Sequence, residues 1–323
     1  MDQGTQLRQC TLAGLRCPKC CGDLAVGGDS IRCLRGECGG CFPVVDGVPV
    51  LVDEQRSVFS IDDFSSKRTT TYSAASAGRL KQAVLRHMPK ISANLKARKN
   101  YRRLAELLHG TAPRCRVLVL GGSVLGEGMD ELALDPALDL VETDVAFGPR
   151  TALICDAHDI PFQDRTFDCV IVQAVLEHVV DPYRCVAEVH RVLKERGIVY
   201  AETPFMQQVH GGRYDFTRFT HLGHRRLFRH FEEIDSGAVG GPGMALAWAY
   251  LYLLRSFASS RKMRAVLRLW AGATSFFLKY LDRLVIDTPG SLDAASGYFF
   301  LGVRSETVLS DRELLKSYRG AGA

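Results

Sequence analysis

Three groups of residues in this sequence have types and spacings that could do chemistry. The first is a set of cysteines. Cys17-Pro18-Lys19-Cys20 is a two-residue knuckle, Cys33 follows after 12 residues, and both Cys38 and Cys41 lie at usable distances beyond it. Four thiolates so spaced close a tetrahedral Zn²⁺ site with no open position, so the metal they imply is structural. The second group starts at the glycine-rich turn Gly121-Gly122-Ser123-Val124-Leu125-Gly126, continues with Asp144-Val145 and then Asp156-Ala157-His158, and ends at Gln173, Glu177 and His178. A nucleoside cofactor needs a turn it can approach closely, a carboxylate for its ribose hydroxyls and a polar edge for its adenine, in that order. The third group is the stretch MQQVHGGRYDFTRFTHLGHRRLF, dense in His, Arg and aromatic residues. His210, Tyr214, Asp215, Arg218 and His221 are its candidates for binding an acceptor. His210 is the first candidate for taking a proton from an acceptor hydroxyl, and His178 the second. An amine or anionic acceptor would need positioning alone.

These residues require a particular set of elements. The run from Arg116 to Leu120 is apolar enough for a buried parallel strand, and the glycine-rich turn leads from it towards a helix. Asp144 then ends a second strand, Asp156 follows a third, Phe167 to Val172 form a fourth that ends at Gln173, and IVYAETPF is a fifth. In an open α/β sheet ligands bind outside the carboxyl ends of the strands, which is where all these side chains fall. Loops in that position commonly carry substrate residues. FEEIDSGAVGG reads as a sixth strand.

Composition agrees with an α/β fold. With 323 residues, 46% hydrophobic and 24% charged, the chain can bury a full core and is long enough for one large and one small domain. Seven of its eleven cysteines, Cys10, Cys17, Cys20, Cys21, Cys33, Cys38 and Cys41, crowd into the first 41 residues, which points to metal rather than disulfides. Cys115, Cys155, Cys169 and Cys185 stand singly in apolar surroundings and should be small buried side chains. No segment reads as a secretory signal or reaches the roughly 20 apolar residues needed to cross a bilayer, so a cytoplasmic protein is expected.

The block FDCVIVQAVLEHVVDPYRCVAEVHRVLKERGIVYAETPF resembles the class I S-adenosylmethionine-dependent methyltransferases, especially the type 11 subgroup with its LEHV…D…E…RVLKPGG pattern. The resemblance covers about residues 114 to 235 and returns at GYFFLGVRS, which is similar to the family's last strand. It implies a doubly wound, seven-stranded Rossmann-like sheet. It also implies S-adenosylmethionine bound by Gly121, Gly122, Ser123, Gly126, Asp144, Val145, Asp156, Ala157, His158 and Gln173. The turn departs from the commoner pattern, with Val119 where an acidic residue is frequent, Ser123 in place of a glycine and Leu125 shifting the last glycine to Gly126.

The N-terminal segment from LRCPKC through CFPVVDGVPVLVDE resembles the zinc-ribbon family that includes the small activating subunit of eukaryotic tRNA and release-factor methyltransferases. That resemblance implies Cys38, not Cys41, as fourth ligand, hence a set of Cys17, Cys20, Cys33 and Cys38. The Asp46-Gly47 pair fits a hairpin turn between β-branched residues. Residues 1–53 carry five Lys or Arg against six Asp or Glu, so this ribbon lacks a nucleic-acid-binding face and suits a docking or stabilising role.

The expected organisation is a ribbon (1–53), a basic linker with helices covering the cofactor pocket (54–110), the catalytic domain (111–310) with a helical insertion at about 243–287, and a tail (311–323). LKQAVLRHM and ISANLKARKNYRRLAELLHG read as helices, with Leu95, Tyr101, Leu104 and Leu108 at helical intervals and Gly110 as a stop. From Arg56 to His109 there are twelve Lys or Arg and three Asp or Glu, a strip suited to an anionic substrate, to RNA or to plain solvation. In the insertion, MALAWAYLYLL is too short to span a membrane and would be buried, form a homodimer face or make peripheral membrane contact. The expected activity is methyl transfer to a small-molecule, glycan or lipid-linked acceptor, at oxygen. RNA methylation is an alternative, since a bacterial ribosomal RNA guanine methyltransferase also joins a four-ligand ribbon to this domain. A catalytically silent binding or scaffold protein is another, given the altered turn.

Overall fold

The computed structural model describes residues 14–66 and 90–322. Cys10, the Ser- and Thr-rich stretch from 67 and the expected helix LKQAVLRHM lie outside these residues.

The chain begins with two hairpins: β1 (Leu24–Gly27) with β2 (Ser30–Cys33), and β3 (Cys41–Val45) with β4 (Val48–Leu51). Val45 pairs with Val48 across Asp46 and Gly47, whose φ angles of 50° and 79° give the doubly left-handed turn that matches strand twist. A short helix, α1 (Ile61–Ser65), starts at a capping box of Ser60 and Asp63. Helix α2 (Ala97–His109) buries Tyr101, Leu104 and Leu108 on one face and stops at Gly110, as the spacing of its apolar residues requires. Part of its basic surface is paired at home, Arg103 to Asp235 at 2.6 Å and Lys96 to Asp287 at 2.7 Å.

The central elements follow as β5 (Cys115–Leu120), α3 (Asp130–Ala133), β6 (Leu138–Asp144), β7 (Leu153–Cys155), β8 (Phe167–Gln173), α4 (Pro182–Val192) and β9 (Leu193–Pro204). Then come α5 (His221–Leu227), β10 (Phe231–Gly240), the inserted helices α6 (Pro242–Ser256), α7 (Arg261–Ser275), α8 (Leu278–Val285) and α9 (Pro289–Ala294), then β11 (Gly297–Arg304) and α10 (Asp311–Lys316). The seven expected strands lie in the order β7-β6-β5-β8-β9-β11-β10, with β10 and β11 antiparallel. Val117–Leu120 and Cys169–Val172 are buried on both faces, the burial that their unbroken apolar runs encode.

Two expectations are corrected. The sheet has eleven strands, not seven, because β4 runs parallel to β7, Val50 facing Ile154 and Leu51 facing Cys155, and carries the ribbon into the same sheet. The reason is the exposed edge that a three-residue β7 would leave: the apolar VPVL strand covers it and buries Val50, Leu51 and Val52. A bridge between Leu15 and Phe162 adds a second tie. The helix expected after the glycine-rich turn is reduced to the single turn α3, since glycines at 126 and 128 and Pro136 interrupt helix on both sides.

The four single cysteines are buried, and burial pushes the Cys155 thiol up to about 12. In the insertion, α6 buries Met244, Ala245, Ala247 and Leu251 but leaves Leu246 and Leu253 exposed, as α7 leaves Val266, Leu269 and Trp270. Asp282 of α8, fully buried, accepts backbone N–H bonds from Gly241, Gly243 and Met244 at 2.7–3.1 Å and so closes the N-terminus of α6. No helix among the described residues is long and apolar enough to cross a membrane.

His224 of α5 sits 2% exposed against Phe228 and Phe300, and its Nε2 has no hydrogen-bond partner among the described residues. Burial pushes its pKa down to about 3. The unfolded chain, with a histidine near its ordinary pKa of about 6.5, then binds the proton first, so stability is lost as pH falls from about 6.5 towards 3. The expected slope from this residue is up to about 1.4 kcal/mol per pH unit. In His224→Phe that part of the slope disappears, as denaturant unfolding at pH 6, 5 and 4 would show. Identical slopes in both proteins would exclude the effect.

Candidate functional site

The four ribbon cysteines converge. Cys17 Sγ lies 3.7 Å from Cys38 Sγ, Cys20 Sγ lies 3.4 Å from Cys33 Sγ, and all four fall within 4.8 Å of one another. Zn–S bonds of about 2.3 Å in a tetrahedron place sulfurs about 3.8 Å apart, so the set fits Zn²⁺ with small adjustments. Cys41 and Cys21 are exposed and outside it.

At the carboxyl ends of β5 to β9 lies a cleft of about 550 Å³, the size of a ligand pocket. Gly121, Ser123, Gly126, Asp144, Val145, Asp156, Ala157, His158 and Gln173 all line it. Gly122 is adjacent in the turn and donates its N–H to Thr143. Asp144 Oδ2 accepts the Ser123 N–H at 3.0 Å, and burial raises the pKa of this carboxyl. A carboxylate has about four acceptor positions, so capacity remains for a diol. Asp156 is more heavily engaged. Its Oδ1 accepts from the His158 backbone at 2.9 Å and ring Nδ1 at 2.6 Å, and its Oδ2 from Ser57 Oγ at 2.5 Å. Burial alone would raise the Asp156 pKa, but the bonds from His158 and Ser57 hold it below the usual range. His158 Nε2 accepts the Asp181 N–H at 3.0 Å, which puts the ring proton on Nδ1.

Gln173 donates its amide to Glu202 at 2.8 Å and to the Glu127 carbonyl at 3.3 Å, which turns its Oε1 inward. That oxygen is buried with no donor among the described residues. It lies 1.9 Å from where a Cβ at position 126 would stand, so only glycine there lets the amide reach the cleft wall. Glu202 is fixed in turn by Asn94, which donates to both its oxygens at 2.9 and 2.8 Å, and by the Tyr200 hydroxyl. Burial raises the Glu202 pKa.

The far end of the cleft is formed by His178, His210 and Tyr214. Glu177 lies behind the two histidines with its side chain 2% exposed, and its Oε1 is 3.7 Å from His178 Nε2 and 3.9 Å from His210 Nε2. Neither carboxylate oxygen has a hydrogen-bond donor among the described residues. Burial pushes Glu177 up to about 8, against the pull of the Arg218 charge. Burial lowers the His178 pKa. Asp215 accepts the backbone N–H groups of His210 at 2.7 Å and Gly211 at 2.9 Å, and Arg218 pairs with it at 2.5 Å. Burial opposes ionisation of Asp215, but these donors hold its pKa well below the carboxylate range. Trp248 of α6 packs against His210, ring centres 5.8 Å apart, and the Tyr252 hydroxyl donates to the Val209 carbonyl, so the insertion backs this loop.

The three parts of the third group thus separate. His210 and Tyr214 face the cleft. Asp215 and Arg218 brace the loop and line a shallow depression on its other side. His221 is buried at the start of α5, bonded to Ser236 and Arg319 away from the cleft, because its helix packs on β10 and β11. Four residues at or beside the cleft are not among the candidates drawn from the sequence. Ser57 and Phe59 come from a stretch with no periodic pattern, the latter stacked on Tyr214 at 5.6 Å. Asn94 precedes α2 and carries no signal. Glu202 does carry one, an acid near the end of a buried strand where a ligand crevice is expected.

Residues 121–201 match the model of the methyltransferase domain family. Among solved structures, the chain is similar to a candidate sarcosine dimethylglycine methyltransferase from Galdieria sulphuraria, with 14% identity over 66% of this chain and 87% of that one and a TM-score of 0.44. It is also similar to Haemonchus contortus phosphoethanolamine N-methyltransferase 2 in complex with S-adenosyl-L-methionine, with 14% identity over 64% of this chain and 53% of that one and a TM-score of 0.41. A third, the cyclase SpnF, gives 18% identity over 63% of this chain and 80% of that one, TM-score 0.37. No curated protein matches the sequence.

Proposed function

We propose that this protein transfers a methyl group from S-adenosylmethionine to a small-molecule, glycan or lipid-linked acceptor, at oxygen, with a structural Zn²⁺ in its ribbon. The observation that carries the reading is the cleft beside the methyltransferase-domain match. It has a carboxylate next to a glycine-rich turn, a polar edge two strands along, and a buried amide oxygen, Gln173 Oε1, that lacks a donor among the described residues. A cofactor with a ribose diol and an ammonium group would supply what these residues lack. When bound, it supplies an electrophilic methyl group.

The protein's own residues would divide the work. Asp144 holds the ribose hydroxyls, Asp156 with His158 and Ala157 shapes the adenine edge, and the turn from Gly121 to Gly126 with Gln173 holds the amino-acid end. His210, with His178 second, activates the acceptor, and Tyr214 and Phe59 flank it. An oxygen acceptor suits this end because a hydroxyl must lose its proton as the new bond forms, and three proton-accepting or ligating groups converge there.

Asp144→Ala tests the cofactor side. It removes a charged acceptor, so S-adenosylmethionine affinity should fall by about 1.5–3 kcal/mol for each charged hydrogen bond lost, read by calorimetry. Unchanged affinity would place the ribose elsewhere and remove the basis of the reading.

A further inference from the structure

We infer that Glu177, His178 and His210 form a second metal site, a three-ligand centre for a divalent ion of the Zn²⁺ class at the acceptor end of the cleft. The first observation is geometric. One carboxylate oxygen and two imidazole nitrogens, contributed by the segment after β8 and the loop after β9, lie within 4.8 Å of one another. Metal bonds of about 2.0–2.2 Å would draw such atoms to roughly 3.4 Å in a tetrahedral site, a contraction of a few tenths for the two carboxylate–imidazole pairs at 3.7 and 3.9 Å, while the two imidazole nitrogens lie within 4.8 Å of each other.

The second observation is the Glu177 carboxylate, buried, aimed into the cluster and without a donor among the described residues. A buried carboxylate so placed is costly unless it is paired or bound to a metal. The third is the orientation of the imidazoles. His178 donates Nδ1–H to the Tyr214 carbonyl at 2.7 Å, which leaves the lone pair on Nε2. His210 Nδ1 lies 3.1 Å from the Gln208 carbonyl and 3.3 Å from Arg218 Nη2, whose two N–H groups have the nearer acceptors Asp215 Oδ2 at 3.1 Å and the Gln208 carbonyl at 3.2 Å, so the shorter carbonyl contact assigns the His210 proton to Nδ1. A histidine that ligates through Nε2 while Nδ1–H binds a carbonyl is the arrangement metal sites use to hold ring and tautomer. The backbone is braced too: the Glu177 carbonyl accepts from Phe216 N at 2.8 Å, and Asp215 pins residues 210 and 211. Because Asp215 pairs with both ends of the Arg218 guanidinium, that charge does not stand alone against a bound cation.

Three protein ligands leave an open position, the mark of a catalytic rather than a structural site. His178 and His210 line the main cleft, and Glu177 and His210 an adjoining chamber of about 180 Å³, so the open position faces the acceptor. Resting on the methyl-transfer reading, the metal would acidify an acceptor hydroxyl, as it does water. The hydroxyl proton passes to solvent. The O–CH₃ bond then forms as the S–CH₃ bond breaks, and its electron pair stays on sulfur, turning the sulfonium into a thioether.

The test is metal content. Full-length protein is exchanged with Co²⁺, freed of excess, and assayed for metal and visible absorption. Wild type should hold one equivalent more than either Glu177→Gln or His178→Ala, and the thiolate-to-cobalt band of the ribbon should be the same in all three. Equal metal content in wild type and both variants overturns the site. If wild type holds the extra equivalent but binds no S-adenosylmethionine, the metal site stands and the methyl-transfer reading falls. If it binds S-adenosylmethionine but holds no extra equivalent, the metal site falls and the methyl-transfer reading stands.

Discussion

Replacing His210 with alanine is expected to cut turnover by about 10²-fold or more while leaving S-adenosylmethionine affinity unchanged. The two effects separate because the residues come from different elements. The proposed cofactor residues stand at the ends of β5, β6, β7 and β8, whereas His210 stands on the loop after β9, held there by Asp215 and packed against Trp248. Removing the ring deletes either a proton acceptor or a metal ligand and leaves the buried Glu177 carboxylate facing an empty volume, yet it touches nothing at the adenosine end. The measurement is transfer of labelled methyl groups from S-adenosylmethionine into a small-molecule extract of cells lacking the gene, beside calorimetry on the same protein. Full turnover in the variant would remove His210 from the chemistry and leave His178 as the remaining candidate.

The second large effect is expected at the ribbon. Cys38→Ser should abolish zinc binding there, whereas Cys41→Ser should retain it, since Cys41 points to solvent outside the thiolate set. Apparent zinc affinity in small ribbons amounts to about 10–16 kcal/mol, and a module of this size has little core of its own, so loss of the ion should unfold it. The consequence should reach further than in a ribbon on a free linker. With β4 no longer held, β7 becomes an unprotected edge and the layer that buries Val50, Leu51 and Val52 opens. Amide exchange should therefore lose protection in β1 to β4 and in β7, with β5, β8 and β9 still protected. Full zinc in Cys38→Ser together with loss in Cys41→Ser would reverse the ligand assignment. Zinc loss without any change in β7 protection would show that the strand pairing is independent of the metal.

The strand from Val117 to Leu120, the acid at Asp144, the strand ending at Gln173 and the two-residue turn at Asp46 and Gly47 were all legible in the sequence. Each is specified by local chemistry: an unbroken apolar run demands burial on both faces, and a turn with positive φ at two positions demands residues that tolerate it. The order of such elements was sufficient to bring the proposed cofactor residues to one edge of one sheet, because the carboxyl ends of its parallel strands β5 to β8 face the same crevice. The loop after β9 was legible only in composition. Its histidines and arginines suggested a segment at the cleft, but nothing local distinguishes His210, which faces the cleft, from His221, which α5 turns into the core.

Other features depended on tertiary structure alone. That VPVL would pair with β7 and merge the ribbon into an eleven-stranded sheet follows from the exposed edge of a strand about 100 residues away. That Ser57 would reach Asp156, and Asn94 would reach Glu202, follows from segments without periodicity settling over a crevice that exists only once the sheet has formed. Glu177 shows the division most clearly. By itself the sequence determined that this acid, one residue before His178, stands near the end of the fourth central strand. Only the folded chain decided that its carboxylate is buried, without a donor among the described residues, and faced by His210 from 33 residues further on, because side-chain convergence across a sheet is set by packing and not by spacing along the chain.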